Sequence, residues 1–196
     1  MKITYDLTFA CVHTGGPFNP VVKLRDAIWR HGRQPYDLVC LSDQPERCEG
    51  VNFIDISGSG LTGWWGRMLL FEPQWRGRSK IIFLDLNTTV VGALLPLWNV
   101  PGEFAIYAND PRMTGHPGKY NSSVMVIGGG MAGFVWSKFD AHRGALMKRD
   151  RGDQVIEELY PGAALLQTLV PRGFFIDYRD EFGPALFVGA GGPRKD

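Results

Sequence analysis

Short apolar runs, each closed by a polar or glycine-rich break, recur along this chain. The clearest is Ile81-Ile82-Phe83-Leu84, which stops at Asp85-Leu86-Asn87 before Thr88-Thr89-Val90-Val91 resumes β-type sequence. Such a run predicts a buried strand. Residues 3–12 alternate and are rich in β-formers, so they predict an opening strand. Residues 13–17 break it with two glycines and a proline. Pro20 suits a first helical position, where no N–H is missed. Val21, Val22, Leu24, Ala27 and Ile28 then give a helical stripe ending near His31-Gly32. Strands are expected over 36–41 and 51–56. Strand, helix, strand at this spacing signals a βαβ unit with parallel strands.

The second half continues the alternation. Residues 63–75 predict a short buried helix ended by Pro73. Residues 94–98 predict a helical turn, 104–108 a strand, 109–120 a loop, and 123–127 a strand running into Gly128-Gly129-Gly130. Helices are expected over 134–149 and 152–159, with 163–170 and 174–178 closing the fold. The picture is one α/β domain over 1–188, with a mixed, mainly parallel sheet flanked by helices. A Gly- and charge-rich tail over 189–196 is expected to fray.

Four polar clusters interrupt this pattern. Asp85 and Asn87 flank one residue at a strand end. Period-2 alternation would leave both oxygens on one side, as a hard divalent cation requires. The same residues also suit an Asx turn. Arg67 sits in the aromatic segment Gly63-Trp64-Trp65-Gly66-Arg67, where a guanidinium needs an anionic partner. That partner is either a diphosphate or an acid of the chain such as Glu72 or Asp85. Asn121, Ser122 and Ser123 stand just before a predicted strand, as sugar hydrogen-bonders or as a loop cap. Asp153 and Gln154 open a helix, as an N-cap or as a carboxylate and amide lining a sugar.

Composition narrows the classes. Of 196 residues 44% are hydrophobic, enough for a sizeable core. Twenty-one basic and 20 acidic side chains nearly cancel, which removes the global basic excess of a non-specific nucleic-acid binder. Cys11, Cys40 and Cys48 form neither CxxC nor an even disulfide set, and Cys11 and Cys40 lie in apolar runs. The N-terminus lacks a signal-peptide core, and no apolar segment approaches the roughly 18 residues of a membrane span. A cytoplasmic setting is the expectation. P-loop, HExxH and GxSxG patterns are missing from the sequence.

Taken in order, these clusters resemble the nucleotide-sugar glycosyltransferases of the GT-A fold. The likeness is to the glycogenin-like and bacterial galactosyltransferase-like group, family eight in the usual sequence classification. It runs over roughly residues 3–178. It is carried by Gly63-Trp64-Trp65-Gly66-Arg67-Met68, Phe83-Leu84-Asp85-Leu86-Asn87-Thr88, Asn121-Ser122-Ser123-Val124-Met125 and Gly152-Asp153-Gln154-Val155. The resemblance implies that Asp85 and Asn87 hold Mn²⁺ or Mg²⁺ against the diphosphate of a nucleotide-sugar, a UDP-sugar by family likeness. It implies that Arg67 contacts donor sugar or phosphates, and that Asn121, Asp153 and Gln154 line the sugar. Leu86 and Ser122 join the donor site. Ala10, Cys11, Val12, His13 and Phe18, with Asp43 nearby, would hold nucleobase and ribose. Retention of anomeric configuration is implied as well.

Two departures stand out. The motif's second aspartate is Asn87 here, and the family's late metal-binding histidine has no match after Asp153. Metal binding then uses fewer protein ligands and more water, or Asp177 or Asp180 substitutes. These departures leave open a catalytically weakened relative that only binds nucleotide or glycan. A nucleotidyltransferase on a related fold is a further alternative. The acceptor is open among saccharide, lipid, protein and modified nucleic-acid base.

Overall fold

A seven-stranded sheet in the order β3-β2-β1-β4-β7-β6-β8 organises the computed structural model. It describes residues 5–111, 115, 117–131, 133–149, 151–180 and 183–189, with the backbone alone for 177–180 and 183–185. β1 (Leu7–His13), β2 (Asp37–Ser42), β3 (Asn52–Asp55) and β4 (Lys80–Leu84) run parallel. β7 (Tyr120–Gly128) runs against both β4 and β6 (Phe104–Ala108), and β6 is parallel to the short β8 (Ala164–Leu165). The α/β architecture with one mixed, mainly parallel sheet is the one expected from the sequence.

Alternation sorts the strands' side chains into two cores. Ala10, Val39, Leu41, Ile81, Phe83, Met125 and Ile127 point to one face. Leu7, Phe9, Cys11, Leu38, Cys40, Ile82, Leu84, Val124 and Val126 point to the other. Both faces are covered, which explains why β4 reads as unbroken apolar sequence. Helix α1 (Asn19–His31) covers the second face with Val21, Leu24 and Ile28. The first face is covered by the segment Gly63–Phe71 and by helices Phe134–Leu146 and Gly152–Leu159.

Three expectations need correcting. Gly63–Phe71 is a 3₁₀ helix, followed by a second over Pro73–Trp75. Every residue from Trp65 to Phe71 is buried, so no polar stripe imposes a 3.6-residue period and packing sets the geometry. Next, β5 (Thr88–Val90) does not prolong β4. It joins a separate three-stranded sheet in the order β5-β10-β9, with β9 (Phe175–Asp180) and β10 (Gly183–Val188). Lastly, β7 begins at Tyr120, so Asn121 and Ser122 lie within a strand rather than before it. Of the tail, residues 190–196 lie outside the described residues.

Gly66 shows how closely the 3₁₀ segment sits on the sheet. A Cβ there would lie 2.8 Å from Val12 Cγ1 and 3.2 Å from Ile56 Cδ1. The nearer contact is a methyl of β-branched Val12, which has little rotamer freedom with which to give way. Gly66→Ala is therefore expected to cost about 1–3 kcal/mol by overpacking. A lowered urea midpoint at unchanged m-value would show it, and an unchanged midpoint would mean the segment lifts freely off the sheet.

The chain order places a switch point at β1. From β1 the chain winds outward through β2 and β3, then returns to the other side of β1 as β4. In open α/β sheets, ligands bind outside the carboxyl ends of the strands at such a point. Here that edge holds the ends of β1, β2 and β4 at His13, Ser42 and Leu84, together with the start of antiparallel β7 at Tyr120.

Candidate functional site

At this carboxyl edge β4 gives way to a turn. The Asp85 N–H donates to Ser123 O at 2.8 Å, and Thr88 N–H donates to Asp85 O at 2.9 Å. Asp85 and Leu86 are half-buried and Asn87 is exposed. Asp85 has already left the strand and residues 86–87 form a turn, so strand alternation does not set how the two polar side chains lie. Neither backbone bond of Asp85 involves its carboxylate.

Next to the turn, β7 is irregular. Ile106 of β6 pairs with Met125, but the following Tyr107 pairs with Asn121. Residues 122–124 therefore lack cross-strand partners on β6, a bulge of the kind that re-aims side chains beside functional sites. Val124 keeps its partner Leu84 on the β4 side. The Asn121 side chain steadies the bulge by accepting from Ser123 N–H at 2.9 Å.

Ser122, fully buried, links the bulge to two other elements. Its N–H donates to Asp153 Oδ1 at 3.1 Å, and its hydroxyl donates to the same oxygen. Arg67 Nη1 donates to Ser122 Oγ and, at 3.3 Å, to Ser122 O. Arg67 Nε donates to Trp64 O at 2.9 Å. The Arg67–Asp153 ion pair spans 3.8 Å, and Arg151 donates to the other carboxylate oxygen at 3.2 Å. The Arg67 guanidinium also lies 5.4 Å from the Phe83 ring centroid.

The acid partner of Arg67 is thus Asp153, not Glu72 or Asp85. Arg67 and Asp153 are 9% and 8% exposed, so each needs the other: an unpaired charge at that depth costs several kcal/mol. Asp153 does not cap its helix. The capping position is Arg151, without a side-chain cap bond, and Asp153 lies in the first turn facing β7. Its charge still favours the positive helix end. Gln154 is exposed on the same turn and stands outside the buried network.

The ends of β1 and β2 form the neighbouring wall. His13 is 4% exposed; its Nδ1 pairs with Ser42 Oγ at 3.3 Å, and Phe18 meets its ring edge-on at 5.6 Å. Its Nε2 is buried and has no hydrogen-bond partner among the described residues. Asp43 accepts from Gly15 N–H at 3.0 Å, tying the loop after β1 to the end of β2. Gly15 and Gly16 have φ of 68° and 78°, so this loop conformation favours glycine at both positions. Val12 and Phe18 are half-buried here. Ala10 and Cys11 are 1% and 0% exposed inside the two cores, deeper than the rest of this group. The Cys11 thiol is raised well above its ordinary range, by its contact with Cys40, by burial and by the nearby charge of Asp85.

The edge thus brings Arg67, Ser122 and Asp153 into one network, with Asp85, Asn87 and Asn121 on the adjoining turn and bulge. Arg151 and Ser42 escaped sequence reading. The only signal for Arg151 was a cation two residues before Asp153. Among the described residues no group of three or more His, Cys, Asp or Glu gathers to hold a metal. One carboxylate and one amide nevertheless suit a hard cation that keeps several waters and shares substrate phosphate, the usual habit of Mg²⁺. The side chains of Asp177 and Asp180, the expected substitutes for the late histidine, lie outside the described residues.

No known protein family matches the chain, and no curated protein matches its sequence. Solved structures do match its fold. The glycosyltransferase GlyE of Streptococcus pneumoniae TIGR4 superposes with a TM-score of 0.61 at 18% identity, over 81% of this chain and 44% of GlyE. The galactosyltransferase LgtC, solved with donor and acceptor sugar analogues, gives 0.57 at 12% identity over 94% and 87%. The bifunctional glycosyltransferase WbbM gives 0.57 at 15% identity over 84% and 40%. The fold is therefore one shared with glycosyltransferases, and the chain spans less than half the length of GlyE and WbbM.

Proposed function

We propose that the carboxyl edge is the donor site of a glycosyltransferase that moves a sugar from a nucleotide-sugar to an acceptor. The observation that carries the reading is the buried Arg67–Ser122–Asp153 network at the switch-point edge, beside the Asp85–Asn87 turn. A nucleoside diphosphate leaves only if its developing charge is neutralised. Asp85 and Asn87 would hold Mn²⁺ or Mg²⁺, whose positive charge supplies part of that neutralisation when bound. Arg67, fixed by Asp153 and Ser122, adds a second positive charge that needs no reorganisation. Asp153 is engaged by Ser122, Arg67 and Arg151, so it serves as a fixed negative charge near an oxocarbenium-like centre, with Gln154 the exposed amide beside it. The orphaned Nε2 of His13 is a polar atom suited to the nucleoside end of a donor. UDP as the nucleotide, retention of configuration and kinship with family eight rest on the sequence resemblance.

The test is release of nucleoside diphosphate from UDP-sugars, GDP-sugars and their relatives in the presence of Mn²⁺. Turnover of at least one supports the reading. Pyrophosphate release from a nucleoside triphosphate, with every sugar donor inert, would point to a nucleotidyltransferase instead. The weakened-relative reading is favoured by one residue, since an amide at Asn87 brings one negative charge fewer to a cation. Asn87→Asp is expected to tighten the Mn²⁺ requirement by about tenfold in half-saturating concentration, since each 1.4 kcal/mol is tenfold. Unchanged Mn²⁺ dependence would remove position 87 from the metal site.

A further inference from the structure

A cleft lies at the end of the sheet opposite the candidate site. It measures about 430 Å³ and is lined by Arg25, Asp26, Trp29, Tyr36, Glu49 and Gly50. Tyr36 precedes the start of β2 and Asp43 follows its end, so the cleft stands on the order of 20 Å from the carboxyl edge at about 3.3 Å per strand residue.

Its most unusual member is Trp29. The indole is 78% exposed on α1, whose inward side is already filled by Val21, Leu24 and Ile28. Tyr36 provides a second aromatic wall, anchored edge-on against Phe9 at 5.3 Å. Beside these rings Arg25 and Asp26 hold one another. Arg25 donates to Asp26 Oδ1 through Nε at 2.9 Å and Nη2 at 2.7 Å. Its Nη1 donates to Glu49 O at 3.2 Å and to Cys48 Sγ at 2.9 Å.

We infer that this cleft binds a neutral saccharide, with the sugar's apolar face on Trp29 and its hydroxyls on Asp26, Glu49, Arg25 and Tyr36. A pyranose has one C–H-rich face and a rim of hydroxyls. It therefore needs an aromatic platform flanked by donors and acceptors already held in place. Two carboxylates against one guanidinium disfavour a phosphate. A cationic ligand would compete with Arg25, which already occupies Asp26 Oδ1. Burial raises the Tyr36 hydroxyl, which stays a neutral donor and acceptor near pH 7. The site stands apart from the donor reaction and would hold a remote part of a glycan.

The experiment titrates the full chain with D-glucose, D-galactose, N-acetyl-D-glucosamine, lactose and maltotriose, followed by ¹H–¹⁵N NMR at the Trp29 indole N–H. At least one sugar is expected to shift that resonance at millimolar concentration. Trp29→Ala should weaken the same sugar about tenfold or more, and Trp29→Phe less, because a ring face remains. UDP binding should be equal in wild type and both variants. A panel of sugars that all leave Trp29 unmoved overturns the inference. So does undiminished sugar binding in Trp29→Ala, or a response to tetramethylammonium with none to sugars. Failure of UDP binding in every variant would strike the donor-site reading alone.

Discussion

Replacing Asp153 with alanine is expected to lower stability by about 3 kcal/mol and to abolish donor turnover. Removing one partner of a buried pair leaves the other charge uncompensated, and that cost dominates. Arg67 would keep Trp64 O and Ser122 but lose its counter-charge, while Ser122 N–H would lose its acceptor. Urea unfolding reads the first effect and diphosphate release the second. Asp153→Asn separates them. An asparagine oxygen can still accept from Ser122, so about 1 kcal/mol should return, while Arg67 stays without its counter-charge. Turnover at the wild-type rate in Asp153→Asn would make this carboxylate a structural group alone.

Asp85→Ala should behave in the opposite way. The turn at Asp85 is built by its own N–H to Ser123 and by Thr88 N–H to its carbonyl, neither of which needs the side chain. Stability should change by about 1 kcal/mol or less, the usual range for a substitution outside the core. Donor turnover should fall about 100-fold or more, the scale seen when one charge-stabilising group is lost from a site. A variant that unfolds at the wild-type midpoint but turns over normally would take Asp85 out of the chemistry. The two substitutions together distinguish a group that holds the edge together from one that acts on the ligand.

Strands β1 to β4, helix α1 and the helix Gly152–Leu159 were legible because burial on both faces leaves apolar runs and because Pro20 and the glycines punctuate them. Gly63–Phe71 was legible as buried but not as 3₁₀, since a segment buried all along carries no period to read. β5 was misread because Thr88-Thr89-Val90 has strand composition, and composition does not say which sheet a strand joins. The site was legible as clusters but not as connections. Nothing local to Arg67 names Asp153, 86 positions away, as its partner. The bulge that frees Ser122 depends on a register shift between β6 and β7, which neither strand records alone. Arg151 went unnoticed for a related reason: its role appears only once Asp153 faces inward.

The most direct measurement is an isothermal titration of the chain with UDP, with and without Mn²⁺, repeated with GDP and other nucleoside diphosphates. One nucleoside diphosphate should bind at a single site per chain, more tightly with Mn²⁺, and Asp85→Ala should lose that enhancement. Absence of binding heat from every nucleoside diphosphate, in either condition, would contradict a donor site at the carboxyl edge.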